Sequence, residues 1–394
     1  MKEKLFLTTL LLILALTATA QRRQLQEARV ILKGDKDYDK AEKLMTDLLK
    51  DSANLSNARI YDMWLLAVEK QYLQVNERMY KKQQVDTTHF FELTRRMFDI
   101  GMRLDSLDMQ PDKKGRVSLQ YRKDNAQKLA SYRPNLFYGG TYHLRKGDLE
   151  TAYNFFERYM DCDRQPLFTG YDLLATDQRM GEVAYWATYC GYRMNDPVRT
   201  LRHAQLAKRD TVKLEHTLQY IAESWRALND QGQYVETLRE GFGHFPKSVY
   251  FFPRLMDCYS SKGNYGKALA VADEALATDS VNTLFLLAKS TMLLNLGRYA
   301  ECLDDSQRLI ALDDQAAEAY YNAGTACLNI ALKMDSRKHK KQITKMYQKA
   351  LPYMETYRQL APQEVEKWGP ALYRIYFNLN MGKKFDEIDK ILKK

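Results

Sequence analysis

The chain has 394 residues, of which 45% are hydrophobic, 18 are glycine and 9 are proline. This composition argues against a disordered or strand-rich protein and leaves ample length for a large buried core. The formal charge is +10, yet the 60 basic and 50 acidic residues are spread along the chain. Because no recognition motif accompanies the excess charge, we expect no nucleic acid partner.

Residues 1–20 form a segment of their own. Two lysines precede the apolar run Leu5–Leu16, and Ala18-Thr19-Ala20 has the small-x-small pattern of a cleavage site. This pattern predicts a secretory signal peptide, removed before Gln21, and hence an exported protein, soluble or peripherally attached to a membrane. A retained N-terminal anchor is the alternative. Since the first cysteine is Cys162, we expect no lipid attachment at a cysteine after the signal.

Helices are predicted from residue 22 onward. A first hairpin over residues 22–50, with Gly34 at its turn, has an apolar face formed by Tyr38, Ala41, Met45 and Leu48. Two longer helices follow over residues 56–82 and 88–107. The side chains of Asp86-Thr87-Thr88 are expected to cap the second one by accepting hydrogen bonds from its free backbone amides.

The middle of the chain alternates breaks with helices. Pro111-Asp112-Lys113-Lys114-Gly115 predicts a break before a helix that begins at Arg116 and ends at Leu129. A hairpin over residues 178–209 is expected to break at Asn195-Asp196-Pro197. Further turns are predicted at Gly232 and at Gly382.

A glycine pattern recurs through the chain. The stretch KGNYGKALAVADEAL, which starts at Lys262, has degraded copies that start at Lys146 and at Leu296. Gly263 and Gly297 are 34 residues apart, the period of helix–turn–helix repeat arrays. The first helix of this unit places large residues on one face and the second places small ones there, which favours close packing: Phe252, Leu255, Met256 and Tyr259, then Ala268, Ala272 and Ala275.

These residues resemble the tetratricopeptide repeat (TPR) family. Phe252, Ala268 and Ala275 match its pattern, and so do, in the following units, Leu286, Ser290, Leu293, Gly297, Tyr299, Tyr320, Gly324, Ala350, Tyr357 and Pro362. Ser280 replaces the usual proline, Cys302 stands where alanine is usual, and the last unit carries about 14 extra residues beyond the family period.

The resemblance implies an all-α fold, a right-handed superhelical solenoid of stacked helix–turn–helix hairpins over residues 21–394 as a single domain. The segments that match best are residues 133–164, 214–245, 249–280, 283–316 and 317–362. Residues 55–130 are expected to form atypical N-terminal helices, and residues 365–394 a C-terminal capping hairpin. Because one hairpin cannot bury its own apolar face, we expect each to depend on its neighbours for stability.

The N-terminal half also resembles exported repeat proteins of the Bacteroidota. The motifs behind this resemblance lie between residues 55 and 165 and include Asp86-Thr87-Thr88-His89-Phe90-Phe91 and the stretch from Tyr132 to Gly140. It implies a location in the periplasm of a Gram-negative bacterium and carries no assigned activity.

No pattern for catalysis or metal binding is present in the sequence. The six histidines are scattered, and there is no HExxH, no G-x-S-x-G and no phosphate-binding loop. The five cysteines form no CxxC pair or metal-ligand spacing, and we expect them to be small buried apolar residues. We therefore predict a non-catalytic protein without cofactor.

Two features favour binding. The resemblance implies a groove lined by the first helix of each hairpin, which would receive Phe137, Thr141, Tyr185, Tyr189, Tyr192, Leu287, Thr291, Tyr321 and Asn322. Tyr185, Tyr189 and Tyr192 share one helix face, but a shift of one residue in the repeat frame moves them into the core, and both alternatives stay open. The lysine that some TPR proteins use to hold a terminal carboxylate has no counterpart here.

The second feature is a basic insertion in the last unit. It contains Asp335 as its only acid among Lys333, Arg337, Lys338, Lys340, Lys341, Lys345 and Lys349. Such a segment is either a solvated helix extension or a docking patch for an anionic surface, such as lipid phosphates or an acidic protein.

We therefore expect a protein–protein interaction scaffold or adaptor in a bacterial cell envelope, which binds an unidentified protein or peptide segment in its groove. The alternative is a periplasmic ligand-capture protein for glycan, peptidoglycan or anionic lipid headgroups, which would use the tyrosines and the basic insertion.

Overall fold

The structure, a computed structural model, describes residues 21–112 and 114–393. The predicted signal peptide and Lys113 lie outside the described residues. Within those ranges the chain is helical and has no strand. Contacts divide it into two compact units, unit 1 up to Asn229 and unit 2 from Asp230. Each is described by itself, and the expected single array over residues 21–394 stays a prediction.

Unit 1 begins with a helical segment over residues 21–33, here α1. It continues with α2 Tyr38–Leu48, α3 Ala58–Tyr80, α4 Thr87–Asp108, α5 Arg122–Tyr132, α6 Pro134–Arg145, α7 Leu149–Asp161, α8 Leu173–Thr176, α9 Met180–Arg193, α10 Pro197–Arg202, α11 Ala204–Ala207 and α12 Leu214–Ala227. Helices close in sequence pack on one another, as in α2 with α3, α3 with α4, α6 with α7, and α9 with α10 and α11. Its largest core cluster includes the fully buried Phe98, Leu136, Phe155 and Phe156.

Unit 2 is a succession of helix pairs. It contains α13 Gln231–His244, α14 Phe251–Ser260, α15 Tyr265–Thr278, α16 Thr283–Asn295, α17 Tyr299–Leu312, α18 Ala317–Lys333, α19 Lys340–Leu360, α20 Val365–Asn378 and α21 Gly382–Leu392. Each helix packs on the next, and α18 also contacts α16 and α20, which joins one pair to its neighbours. The predicted all-α fold of stacked hairpins is confirmed within each unit.

The predicted packing of the repeat around Gly263 is confirmed. Phe252 and Leu255 of α14 are buried, and Ala268, Ala272 and Ala275 of α15 are fully buried. Small side chains on α15 therefore allow the helices to approach closely while the larger residues fill the space between them. Tyr259, which was expected on the same face, is only partly buried.

Several turns between helices contain a residue with a positive φ angle. Gly147, Gly263 and Gly297 have φ values of 79°, 70° and 72°, in the left-handed region that glycine adopts at little cost. Elsewhere the left-handed residues include Asn195, Asn229 and Asn380, and also Asp37 before α2 and Lys82 after α3. Asparagine tolerates this conformation better than most residues with a side chain. The turns predicted at Gly232 and Gly382 were thus misplaced, because these glycines lie in the first turns of α13 and α21.

Two further predictions concern the starts of α4 and α5. The cap of α4 is confirmed, because the Asp86 carboxylate accepts from the amides of Thr88 (2.9 Å) and His89 (3.1 Å). The helix predicted to begin at Arg116 instead begins at Arg122. The Asp112 carboxylate accepts from the Arg116 amide at 3.0 Å and thus holds the preceding residues in a non-helical loop.

Gly191 marks a close contact between α9 and α10. A Cβ atom at this position would lie 2.5 Å from the backbone nitrogen of Thr200, and backbone cannot move aside as a flexible side chain can. Gly243, in the last turn of α13, has nothing within 4 Å of the equivalent position. Gly191 and Gly243 therefore allow the same substitution to be compared at a closely packed and at an open helical position.

We expect Gly191→Ala to lower the free energy of unfolding by roughly 1–3 kcal/mol through overpacking. Gly243→Ala should leave it unchanged or raise it by up to about 1 kcal/mol, because alanine favours a helix where space allows. Urea denaturation of both variants measures the difference. Equal stabilities would contradict the close contact of α9 with α10.

His203 lies between α10 and α11 and is buried, and its Nε2 atom lies 3.8 Å from the carboxylate of Glu157. Burial, helped by the positive charges of Arg202 and Arg164, lowers the pKa of His203 from 6.5 to about 4. Between these two values the unfolded chain binds a proton that the folded chain does not. The folded state therefore loses stability as the pH falls through this window.

His203→Gln should reduce this acid sensitivity. We expect its free energy of unfolding to fall less between pH 6.5 and pH 4 than that of the unchanged chain, whatever its stability at neutral pH. Urea denaturation across this pH range gives both slopes. Parallel slopes would show that His203 does not titrate on unfolding.

Candidate partner-binding surface

Five aromatic side chains of unit 1 meet where α12 packs against α9. Tyr185, Trp186, Tyr189 and Tyr192 belong to α9 and Tyr220 to α12; we call them the aromatic cluster. The rings of Tyr192 and Tyr220 are stacked with centroids 4.5 Å apart. Those of Tyr189 and Tyr185 lie 5.9 and 6.3 Å from Tyr220. Tyr220 is therefore the centre of the cluster.

The sequence of α9 explains why this face is aromatic. Val183, Ala187 and Cys190 are fully buried and form the core side of the helix. The left-handed Asn195 ends the segment, and Asp196 caps α10 by accepting from the Arg199 amide at 3.0 Å. The predicted break at Asn195-Asp196-Pro197 is thus confirmed, and α9 ends with its tyrosines beside α12.

Tyr185, Tyr189 and Tyr192, which we call the tyrosine stripe, differ in burial. Tyr185 is 7% exposed and belongs to the core cluster of unit 1. Tyr189, Tyr192, Trp186 and Tyr220 are only partly buried. Of the two alternatives left open by the sequence, core packing describes Tyr185, whereas Tyr189 and Tyr192 keep part of their surface available to a partner.

Two hydroxyl groups of the cluster, those of Tyr185 and Tyr220, stay protonated near neutral pH. Burial raises the pKa of Tyr185, and burial together with the neighbouring tyrosines Tyr185, Tyr189 and Tyr192 raises the pKa of Tyr220. Because both shifts are upward from an already high value, neither hydroxyl ionises near neutral pH. The half-buried Tyr220 therefore has a neutral hydroxyl, which can both donate and accept hydrogen bonds.

Positive charges lie on aromatic rings of α6 and α9. The guanidinium of Arg179 lies 4.8 Å from the Phe137 ring centroid and 5.7 Å from that of Tyr138. Arg193 lies 5.5 Å from the Tyr189 ring and donates to the Tyr189 hydroxyl at 2.5 Å. Neither arginine forms an ion pair with a carboxylate anywhere in the described chain. Their charges are therefore held by rings but are not neutralised.

Lys213 also lies on aromatic rings, but unlike Arg179 and Arg193 it has an acidic partner. Its ammonium lies 5.2 Å from the Tyr185 ring and 5.7 Å from that of Trp186. However, it also pairs with Asp210 at 2.9 Å. Its charge is thus largely satisfied within the protein.

A cavity of about 550 Å³ lies beside the start of α9 and is lined by Arg133, Tyr159, Phe168 and Arg179, among others. Its polar wall is already paired. Arg133 bonds to Asp177 at 2.6 Å, and the Tyr159 hydroxyl donates to the same carboxylate at 2.7 Å. This leaves Arg179 as the cation of the cavity wall without an acidic partner.

The other residues predicted for the groove are placed differently. Phe137 is 8% exposed and packs against Phe156. Asn322 is 2% exposed, and its amide donates to Ser290 and Thr291, both at 3.0 Å. A buried side chain offers no surface to a partner, so we leave Phe137, Asn322 and Tyr185 out of the candidate surface and assign them to packing.

Four predicted residues are partly buried. Thr141 bonds to the backbone of its own helix, and Leu287 packs against a small core cluster of unit 2. Thr291 accepts from Asn322, and the Tyr321 ring lies 5.2 Å from that of Tyr357. None of the four lies in the aromatic cluster.

Sequence reasoning missed Trp186, Tyr220, Arg179 and Arg193. The groove residues predicted from the sequence include none from α12. The available signal was Tyr220 itself, a large aromatic residue in a helix that packs on α9.

The predicted basic insertion forms the connection between α18 and α19. Its members are exposed, and we call them the basic tip: Lys333, Arg337, Lys338, Lys340, Lys341 and Lys345. Lys333 lies 4.6 Å from the Tyr299 ring. None of the six forms an ion pair within the described residues.

The described residues contain no group of three or more His, Cys, Asp or Glu side chains arranged to hold a metal ion. Burial raises the pKa of Cys162 and Cys190 to about 12 and that of Cys302 and Cys327 to about 11. These four thiols are thus buried, as predicted, and protonated at neutral pH, which makes them poor nucleophiles. Cys258, which was also expected to be buried, is only partly buried. No helix in the described part of the chain is long and apolar enough to cross a membrane.

No model of a known protein family and no curated protein matches this chain. Solved structures with a similar fold include the C-terminal part of a TPR repeat-containing protein from Cytophaga hutchinsonii, at 12% identity and a TM-score of 0.41, covering 64% of this chain and 93% of that one. Yeast Tom70 is similar at 14% identity and a TM-score of 0.34, covering 85% and 64%. MamA is similar at 12% identity and a TM-score of 0.33, covering 47% and 94%.

Replacement by alanine should distinguish the buried Tyr185 from the half-buried Tyr189. We expect Tyr185→Ala to lower the free energy of unfolding by roughly 3–5 kcal/mol, as for other buried aromatic residues. Tyr189→Ala should cost less than half of that, because part of its ring is already in water. Tyr80, which is 89% exposed, provides the control, and Tyr80→Ala should have no effect. Chemical denaturation measures all three, and equal losses at Tyr185 and Tyr189 would contradict the division of the stripe.

Proposed function

We propose that this chain is a non-catalytic protein-binding scaffold that holds an extended, acidic segment of a partner protein on the aromatic cluster of unit 1. We further propose that it acts in the envelope of a Gram-negative bacterium. The observation that carries the first proposal is the set of half-buried tyrosines around Tyr220, with Arg193 on the Tyr189 ring. Arg179, which directly precedes α9 and lies on the Phe137 ring, is a second cation of this region. Neither arginine forms an ion pair within the described residues.

The geometry of the rings favours a peptide. Tyr192 and Tyr220 cover each other's faces, and Trp186 meets Tyr189 edge to face at 87°. Trp186, Tyr189, Tyr192 and Tyr220 are only partly buried, so part of each ring is left for a partner. Such rings contact peptide backbone and side chains with little loss of side-chain entropy, which is why tyrosine is common in protein-binding surfaces.

The charges favour an acidic segment. A guanidinium binds a carboxylate through paired hydrogen bonds, and Arg179 and Arg193 each lie on an aromatic ring that restricts their movement. The same two cations would repel a basic segment. Aspartate or glutamate next to apolar residues is therefore the composition that the surface accepts best.

A glycan ligand is the alternative. Sugar rings stack on open aromatic faces, and in this cluster the faces of Tyr192 and Tyr220 lie against each other at 4.5 Å. This stacking removes one face of each ring from contact with a sugar. The cations Arg179 and Arg193 also favour an acidic peptide over a neutral glycan, and we therefore prefer the peptide hypothesis.

The proposed location rests on the sequence. The pattern of residues 1–20 is that of an export signal, and the resemblance of the N-terminal half to exported repeat proteins of the Bacteroidota agrees with it. A partner in the same compartment is the natural candidate.

A phage-displayed random peptide library, panned on the purified chain, tests the proposal. We expect the selected peptides to be rich in Asp and Glu beside apolar residues. Arg179→Gln and Arg193→Gln should each weaken binding of such a peptide by roughly two- to fivefold, since an exposed ion pair contributes up to about 1 kcal/mol.

Arg22→Gln and Arg374→Gln are matched controls, because both arginines are exposed and form no ion pair within the described chain. These variants should bind as the unchanged chain does. Selected peptides without acidic residues, or equal losses in all four variants, would contradict the proposal. Binding of peptidoglycan fragments without any peptide selection would support ligand capture instead.

A further inference from the structure

The hairpin of α18 and α19 is longer than the other pairs of unit 2. These helices have 17 and 21 residues, whereas α14, α15, α16 and α17 have 10, 14, 13 and 14. The residues added to this repeat therefore lengthen both helices at the end where they join. The basic tip is this lengthened end.

Among the described residues, the side-chain hydrogen bonds between α19 and the hairpin of α20 and α21 lie in the later turns of α19. The side-chain bonds from α19 to α20 and α21 involve Glu355, with Tyr376 at 3.0 Å and Lys384 at 2.5 Å, and Arg358, with Glu387 at 2.7 Å. Glu355 lies roughly 22 Å along the helix from Lys340 at 1.5 Å per residue. The first turns of α19 thus extend beyond these contacts.

The tip concentrates charge of one sign. From Lys333 to Lys349 the chain has seven Lys or Arg residues and one acid, Asp335. The Asp335 carboxylate accepts from the backbone amides of Arg337 at 2.8 Å and Lys338 at 3.4 Å, so it holds the loop together. It forms no ion pair with the surrounding cations. The loop is therefore fixed while the positive charges stay available.

Two details indicate the kind of partner. Of the six tip cations, five are lysines, which are compact, strongly hydrated charges suited to a diffuse negative surface rather than to paired recognition of one carboxylate. Leu332, at the base of the tip, is 53% exposed. A lipid bilayer presents a plane of phosphate groups, which several lysines at one end of a hairpin can contact together.

We propose that the basic tip attaches this protein to the surface of a membrane that contains anionic phospholipids. The lysines contact the headgroups, and Leu332 enters the boundary between headgroups and acyl chains. The proposal is independent of the function proposed for the aromatic cluster, because a different unit and different residues carry it.

Sedimentation with vesicles tests the attachment. Vesicles of equal parts phosphatidylcholine and phosphatidylglycerol are compared with vesicles of phosphatidylcholine alone, which give the background for the whole chain. We expect binding above background only with the anionic vesicles, and we expect salt to release it. Replacing Lys338, Lys340, Lys341 and Lys345 together by Gln should weaken this binding roughly tenfold or more.

The control variant replaces Lys262, Lys267, Lys383 and Lys390 by Gln. These four lysines of unit 2 are also exposed and form no ion pair within the described chain, so the variant loses the same charge elsewhere. It should keep most of the binding, and both variants should melt as the unchanged chain does. Equal binding to both kinds of vesicle, or equal losses in the two variants, would overturn the proposal. Binding to polyglutamate but not to anionic vesicles would also overturn it and assign the tip to an acidic protein.

Discussion

Close contact between helices at positions without a large side chain is the constraint on which both units depend. At Gly140 and Gly241 a Cβ atom would lie 2.4 and 2.3 Å from the rings of Phe156 and Phe251, so each ring occupies the space that a side chain would need. At Gly191 the neighbour is backbone. Since a single helix pair cannot bury its apolar face, these contacts determine which helices meet and which faces are left for binding.

The candidate surface is a consequence of this packing. The buried side of α9 includes the small residues Ala187 and Cys190 as well as Tyr185, and its tyrosines lie near Tyr220 of α12. Tyr185 stabilises the fold, whereas Tyr189 and Tyr192 keep part of their rings in solvent. Arg193, held on the Tyr189 ring, adds positive charge to the cluster, and Arg179, held on the Phe137 ring, adds it just before the start of α9.

Much of the fold could be predicted because its signals are local. A tight turn favours a residue that adopts a positive φ angle at little cost, and glycine does so most readily. Gly147, Gly263 and Gly297 were therefore recognisable from their spacing. Asn195 and Asn380 perform the same task, yet asparagine also occurs in many other settings, and one of these turns was therefore misplaced. The pairing of Asp86 with the start of α4 is likewise local and was correctly predicted.

The site was harder to predict because it depends on contacts between distant residues. Tyr220 becomes the centre of the cluster only through the packing of α12 on α9. Asn322 matched a groove position of the repeat pattern, but its amide bonds to Ser290 and Thr291 of another helix, which a repeat frame does not reveal. A shift of one residue in the frame was enough to exchange groove for core in the tyrosine stripe.

Photocrosslinking in living cells tests the central claim most directly. The photoreactive residue p-benzoylphenylalanine replaces Tyr192, which is half-buried in the aromatic cluster, or Tyr80, which is 89% exposed and does not belong to it. We predict a crosslink from position 192, and not from position 80, to one protein in the envelope, joined through a segment rich in Asp and Glu. A crosslink to glycan, to a basic segment or equally from both positions would contradict the account.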